Sequence, residues 1–273
     1  MIEIVEPGPF ASIQDGGRLG YAGLGVARSG AFDRAALRLA NRLVGNSPDA
    51  AAIEVTLGGL VVRVHDAVTV ALCGAVCPGF DWGTATSLQQ GARVHLGMPT
   101  VGLRSYFAVR GGVAAAMELG SRSTYTLSGL GPSPLRRGDR LPVGADTAGE
   151  VSGATAMPTM MRRRLRIIPG PRDDWFTAAA LTRLTGETWT VRADSNRIGI
   201  RLDGPSLDRA GTDELTSEPT LPGALQVPPD GRPILFGPDA PVTGGYPVIA
   251  VVRDDEFDAA AQLRPGDPVT FTR

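Results

Sequence analysis

Hydrophobic and polar residues alternate in short runs along most of this chain. The stretch GGLVVRVHDAVTVALCGAV (58–76) alternates around Val61–Val64 and again around Val68–Leu72. RVHLGM (93–98), LRSYFAV (103–109), TWTVRA (188–193), RPILFG (232–237) and YPVIAVVR (246–253) follow the same pattern. Each reads as a short strand, because β-branched and aromatic side chains pack well on a pleated, half-buried surface. Three helices are predicted. The clearest covers 33–44, with Asp33 as its N-cap, an apolar stripe of Ala36, Leu37, Ala40, Leu43 and Val44, and Gly45 free to end it in the left-handed conformation. The others cover about 174–184 and 254–263, the last ended by Pro265. Many short strands and few helices predict a mainly β chain of compact barrels rather than a βαβ fold.

The pattern also hints at a duplication. EIVEPGP (3–9) and RIIPGP (166–171) both read as a strand running into a Pro-Gly-Pro turn, and LRRGDRLPV (135–143) and LRPGDPVTF (263–271) as a Gly-Asp turn feeding a strand. Between them GADTAGEVSGATAMPTMM (144–161) is small, polar and weakly periodic, as a linker is. The expected organisation is an N-terminal module at 1–143, a linker at 144–162 and a C-terminal module at 163–273. The length of 273 residues suits one large domain or two small ones. The 36 glycines and 22 prolines, about a fifth of the chain, are spread out and mark turns between strands.

Composition narrows the function. With 27 basic and 28 acidic residues the net charge is -1, which argues against a general nucleic-acid binder. Every basic residue is arginine. A chain without lysine forms no Schiff base, supplies no Walker lysine and carries no biotin of its own, so any anion clamp must use arginine or backbone N–H groups. The acidic N-terminus lacks the apolar core of a signal peptide, and the longest nearly apolar run, 67–76, is far below the ~20 residues of a membrane span. Cys73 and Cys77 read as small buried hydrophobes, and with only His65 and His95 available no metal site is expected. A reduced, cytoplasmic protein is the expectation.

The densest polar constellation is SIQDGGRLGYAGLGVARSGAFD (12–33), which reads as a long loop in which glycines interleave with Gln14, Asp15, Arg18, Arg28, Ser29 and Asp33. It reads either as a ligand loop or as an ordinary structural loop with Asp15 and Arg18 pairing locally. GSRSTY (120–125) reads as a hydroxyl-capped turn or as an anion loop built on Ser121, Arg122, Ser123 and Thr124. Arg197 and Arg201 are four apart, so on a strand they would share one face and could clamp an anion, or pair with Asp203 or Glu218. Gln226, Thr243 and Tyr246 lie in turn-rich stretches, and Asn41 sits beside the helix stripe, where holding a neighbouring loop competes with touching substrate.

Together SIQDGGRLGYAGLGVARSGAFD, LANRLVGNSPDAAAIEV, GLRSYFAVRGG, GSRSTY, LQVPPDGRPI, TGGYP and AQLRPGD resemble the KipA family, in order from about Val5 to Phe271. The family is also called allophanate hydrolase subunit 2, biotin-dependent carboxyltransferase family protein and the C subunit of prokaryotic 5-oxoprolinase. The resemblance implies two cyclophilin-like β-barrel modules and a KipI-like partner, the B subunit. It implies a component of an ATP-dependent 5-oxoprolinase that, with a third component, opens 5-oxoproline to glutamate. The alternatives it carries are transfer of a carboxyl group to urea from biotin held on another protein, and non-catalytic antagonism of a KipI-like kinase inhibitor. ATP would be used by the complex. On this reading Asp15, Arg18, Arg122 and Glu218 are the catalytic candidates. Gln14, Ser29, Asn41, Ser121, Ser123, Thr124, Arg197, Arg201, Gln226, Thr243 and Tyr246 are the substrate-binding ones. The chain departs from the family pattern at Asn196, where Asp is usual, and at Pro241 and Val242, where a polar residue and a second Thr are usual.

Overall fold

The computed structural model describes residues 1–158, 162–211 and 213–273. Among these the chain is mainly β, with three α-helices, and it divides into two compact units. One unit comprises Met1–Arg18 and Ser29–Met161, the other Leu19–Arg28 and Arg162–Arg273.

The first unit is built from β1 (Ile2–Pro7), β2 (Phe10–Gln14), α1 (Arg34–Leu43), β3 (Ala52–Thr56), β4 (Leu60–Val64), β5 (Val68–Val76), β6 (Thr86–Leu88), β7 (Arg93–His95), β8 (Val101–Val109) and β9 (Arg140–Leu141). Two antiparallel sheets form, in the orders β7-β4-β1-β9 and β2-β3-β8-β5-β6. Inward residues of both, among them Ile4, Val62, Ile13, Ile53, Leu72 and Phe107, make one core. The Pro-Gly-Pro turn after β1 requires glycine: Gly8 has φ +73°, and a Cβ there would lie 2.1 Å from the Gly58 carbonyl oxygen. Helix α1 starts where its cap predicts, the Asp33 carboxylate accepting from Ala36 N at 2.8 Å. Its stripe of Ala36, Leu37, Ala40 and Leu43 buries against Ala71, Cys73, Tyr106 and Ala108 on the outer face of the second sheet. Strand β8 is therefore covered on both faces, which explains its unbroken burial from Gly102 to Val109.

The second unit is organised around a closed seven-stranded barrel. Its strands are β10 (Arg164–Pro169), β11 (Trp189–Val191), β12 (Gly199–Asp203), β14 (Ala224–Gln226), β15 (Ile234–Phe236), β17 (Val248–Val252) and β18 (Pro268–Thr272), in the order β10-β17-β14-β15-β12-β11-β18. A separate ribbon pairs β13 (Glu218–Pro219) with β16 (Thr243–Gly244). Helices α2 (Ala178–Gly186) and α3 (Asp254–Ala260) complete it. The helix expected at 174–184 is divided: a 3-10 turn at Asp173–Trp175, then α2 capped by Thr177, whose hydroxyl accepts from Ala180 N at 3.1 Å. The threonine cap sets the start four residues later than the apolar pattern suggests.

The two strand-and-turn repeats recur in the units, but their pairing differs. Strand β1 meets β9 antiparallel, whereas β10 meets β18 parallel, closing the barrel. The segment expected as a linker has a structural role through residue 158. Ala148 N and Ser152 N donate to the Gly45 and Leu43 carbonyls at the end of α1, and Ala156 N donates to Gly83 O. Small, weakly periodic residues serve here as a strap held by backbone hydrogen bonds. Its residues 159–161 lie outside the described residues.

Candidate functional site: a carboxylate-braced arginine loop

Strand β2 delivers Gln14 and Asp15 to the start of the glycine-rich segment, and the chain returns beside them at Ser29–Ala31. Ala31 N donates to the Asp15 carbonyl at 2.9 Å. Gly30 lies so close that a Cβ would sit 2.8 Å from Gly17 N and 2.9 Å from Asp15 O, so only glycine closes this neck.

Asp15 draws GSRSTY onto the neck. Its Oδ1 accepts from Gly17 N at 2.8 Å, Ser121 Oγ at 2.7 Å and Ser123 Oγ at 2.5 Å, and its Oδ2 accepts from Arg122 N at 2.6 Å. Asp15 N donates to Ser123 Oγ in return, at 3.2 Å. The Arg18 side chain, 1% exposed, donates to Ser123 O at 2.5 Å. Ser29 Oγ and Gln14 Nε2 both donate to Thr124 O, at 3.2 and 3.0 Å. Two buried side-chain oxygens, Gln14 Oε1 and Thr124 Oγ1, have no partner among the described residues. The half-buried Arg122 guanidinium likewise makes no hydrogen bond or ion pair among them. The site thus combines a braced loop, a free cation and two buried acceptors.

A second network, which the local pattern does not mark as a site, anchors the end of the same segment. Tyr106 OH donates to Glu54 Oε2 at 2.7 Å and accepts from Asp33 N at 2.7 Å, and Phe32 N also donates to Glu54 Oε2, at 3.1 Å. Arg104 lies 3.7 Å from Glu54 Oε1 and stacks 4.5 Å over the Phe32 ring. Burial, and then the Glu54 charge, push the Tyr106 phenol well above its ordinary range. The sequence signal for this network is polar residues inside apolar strand runs, Glu54 in AIEVT and Arg104 and Tyr106 in VGLRSYFAV.

The remaining candidates are placed elsewhere. Asn41 and Asn46 knit the end of α1 to its surroundings: Asn41 Nδ2 donates to Ala50 O at 2.7 Å, and Asn46 Nδ2 to Asn41 Oδ1 at 2.9 Å and Val109 O at 2.8 Å. Arg197 and Arg201 do not share a face, because β12 begins only at Gly199. Arg197 is buried in a fork-to-fork pair with Asp239, both bonds 3.0 Å, while Arg201 is exposed, 3.6 Å from Asp194. Glu218 is held by Arg172 Nε at 3.0 Å, and that hydrogen bond keeps its carboxyl below the usual range. Gln226 Nε2 donates to Tyr246 O at 3.0 Å, and Thr243 is exposed. At Asn196 the side-chain oxygen accepts from Ile198 N at 2.8 Å and Gly199 N at 3.2 Å, which an aspartate oxygen would also do. Val242 contributes its carbonyl, 2.8 Å from Thr220 N.

The fold and these loops define a mainly β protein of two units whose candidate chemistry sits on loops at strand ends. Residues 24–273 match the family model for the carboxyltransferase domain, subdomain A and B, and the chain belongs to that family. It is 38% identical to the 5-oxoprolinase C subunit of Escherichia coli over 282 residues, covering 100% of this chain and 91% of that protein. Identity to the 5-oxoprolinase C subunit of Haemophilus influenzae is 32%, over 99% and 90% of the two. The crystal structure of K. lactis urea amidolyase superposes with a TM-score of 0.91 at 29% identity, over 99% of this chain but 18% of that one. No helix among the described residues is long and apolar enough to cross a membrane, and no group of three or more His, Cys, Asp or Glu there could hold a metal ion.

Proposed function

We infer that the protein is the C subunit of an ATP-dependent 5-oxoprolinase, acting with a KipI-like B subunit and a third component in the cytoplasm to open 5-oxoproline to glutamate. The observation that carries this reading is its end-to-end likeness to the 5-oxoprolinase C subunit, over 91% of the E. coli protein, against 18% of the urea amidolyase chain.

The chemistry of the braced loop suits a small amide. Opening a lactam breaks its C–N bond, adds water across it and builds negative charge on the amide oxygen as it does so. The free guanidinium of Arg122 supplies a cation for that charge or for the substrate carboxylate. Gln14 Oε1 and Thr124 Oγ1 are two buried oxygens, one of which the single N–H of a lactam would satisfy. Arg18 holds the Ser123 carbonyl and so keeps the loop closed. ATP, used by the complex, supplies the activation that makes the amide carbon electrophilic. Its phosphates do not fit the N-terminus of α1, which the Asp33 carboxylate already caps. Biotin, in the carboxyl-transfer alternative, would have to be carried by another protein, since this chain has no lysine.

The test is glutamate formation from 5-oxoproline and ATP by the reconstituted complex, with and without this chain. Turnover that requires the chain, and that falls by about 10²–10³-fold in Arg122→Ala as expected for losing a charge-stabilising donor, supports the reading. A stable complex without turnover overturns it in favour of biotin-dependent carboxyl transfer or of antagonism of the partner.

A further inference from the structure

We propose that Asp15 is a positioning residue that sets Arg122 in place, and that it is not the proton acceptor of the site. The inference rests on the role given to Arg122 above. Asp15 is tied into the loop by four hydrogen bonds: three donors crowd Oδ1, and Arg122 N reaches Oδ2 at 2.6 Å. A general base needs a lone pair aimed at the proton it removes. One lone pair of Oδ2 has no donor among the described residues, but the carboxylate is buried and three of its four bonds go to Ser121, Arg122 and Ser123, so its geometry serves the loop that carries the cation.

The same bonds have a clear geometric product. Ser121 and Ser123 hydroxyls both donate to Oδ1, Ser123 N donates to Ser121 Oγ at 3.0 Å, and Asp15 N donates to Ser123 Oγ. This closed ring fixes the backbone on either side of Arg122, and hydrogen bonds to a charged acceptor are the strong ones. Arg122 is the one residue of the triplet Ser121–Arg122–Ser123 whose side chain the ring leaves unused. The carboxylate spends itself on backbone and hydroxyls, and the guanidinium remains available to an anionic group.

Ser121→Ala separates the two roles. It leaves the Asp15 carboxylate in place, so a base would survive, but it loosens the ring that orients Arg122. In the assembled complex we expect Ser121→Ala and Asp15→Asn to lower kcat/KM by about tenfold or more, the loss of one hydrogen bond to a charged group. Each shifts the same parameter, kcat or KM, that Arg122→Ala shifts. Each double variant with Arg122→Ala is no worse than Arg122→Ala alone. The acid limb of the kcat profile against pH keeps its position in both single variants. Additive losses, or full activity in Ser121→Ala with the acid limb abolished in Asp15→Asn, overturn the proposal.

Hydrogen exchange at the Arg122 amide in the full chain gives an answer that does not depend on turnover. It is slow in the parent chain and about tenfold faster in Ser121→Ala if the ring holds this residue. An amide already unprotected in the parent chain overturns the proposal, whatever the complex does. Absence of turnover in the parent complex counts against the 5-oxoprolinase reading, and the exchange measurement still decides the role of Asp15.

Discussion

Tyr106 serves two partners at once, donating to Glu54 and accepting from the Asp33 amide, with its ring fully buried. Tyr106→Phe keeps the packing and removes only the oxygen. It is expected to destabilise the chain by roughly 1–3 kcal/mol in urea unfolding, because a buried carboxylate and a buried amide each lose a partner. A larger effect is expected at Asp239→Ala, which takes both 3.0 Å bonds and the paired charge from the buried Arg197 guanidinium. Removing one partner of a buried ion pair costs about 3–5 kcal/mol, far more than the exposed Arg201–Asp194 pair contributes. Unfolding of Asp239→Ala beside Arg201→Ala checks the contrast. At this scale residue types were legible in the sequence but partners were not. Arg197 and Arg201 look equivalent four positions apart, yet one is buried and the other exposed, because the strand begins between them.

Among the elements, α1 was the most legible, since cap, stripe and terminating glycine all lie within the local sequence. Asp33→Ala removes the carboxylate that accepts from Ala36 N, and a loss of roughly 0.5–2 kcal/mol is expected in the same unfolding assay. The 144–158 strap was not legible. Its side chains carry no periodic signal, because much of its attachment is through backbone amides, at Asp146, Ala148, Gly149, Ser152 and Ala156. Those five amides are expected to exchange more slowly than the amides of Glu150, Val151 and Gly153, measured by hydrogen exchange with mass spectrometry. The α2 start was misplaced for a related reason: an apolar pattern reports which face is buried, whereas the threonine cap decides where the helix begins.

For the whole molecule, the absence of lysine has a measurable result. Between about pH 9 and 12 an ordinary protein titrates mainly lysine, cysteine and tyrosine. Here only two cysteines, four tyrosines and the N-terminus remain. Burial, and then the Asp33 charge, push the Cys73 thiol from 9.0 up to about 12, and Tyr106 is also raised. A folded pKa above the unfolded one stabilises the fold fully below the unfolded value, and that contribution is lost as pH rises through the folded one. Stability is therefore expected to fall from about pH 9 toward 12, with a shallower fall in Cys73→Ala, read as the urea midpoint against pH. The sequence by itself determined the mainly β class, the short strands, α1 and the glycine-rich loop, because these depend on residues near one another in the chain. The family too was legible in its ordered motifs. Only the tertiary structure decided that one unit closes a barrel while the other packs two sheets, since register and closure are set by distant strands. Only it brought Asp15 onto Ser121, Arg122 and Ser123, more than a hundred residues away, and left the Arg122 guanidinium without a partner among the described residues. A side chain's chemistry is written locally, but its partners depend on which segments the core brings together.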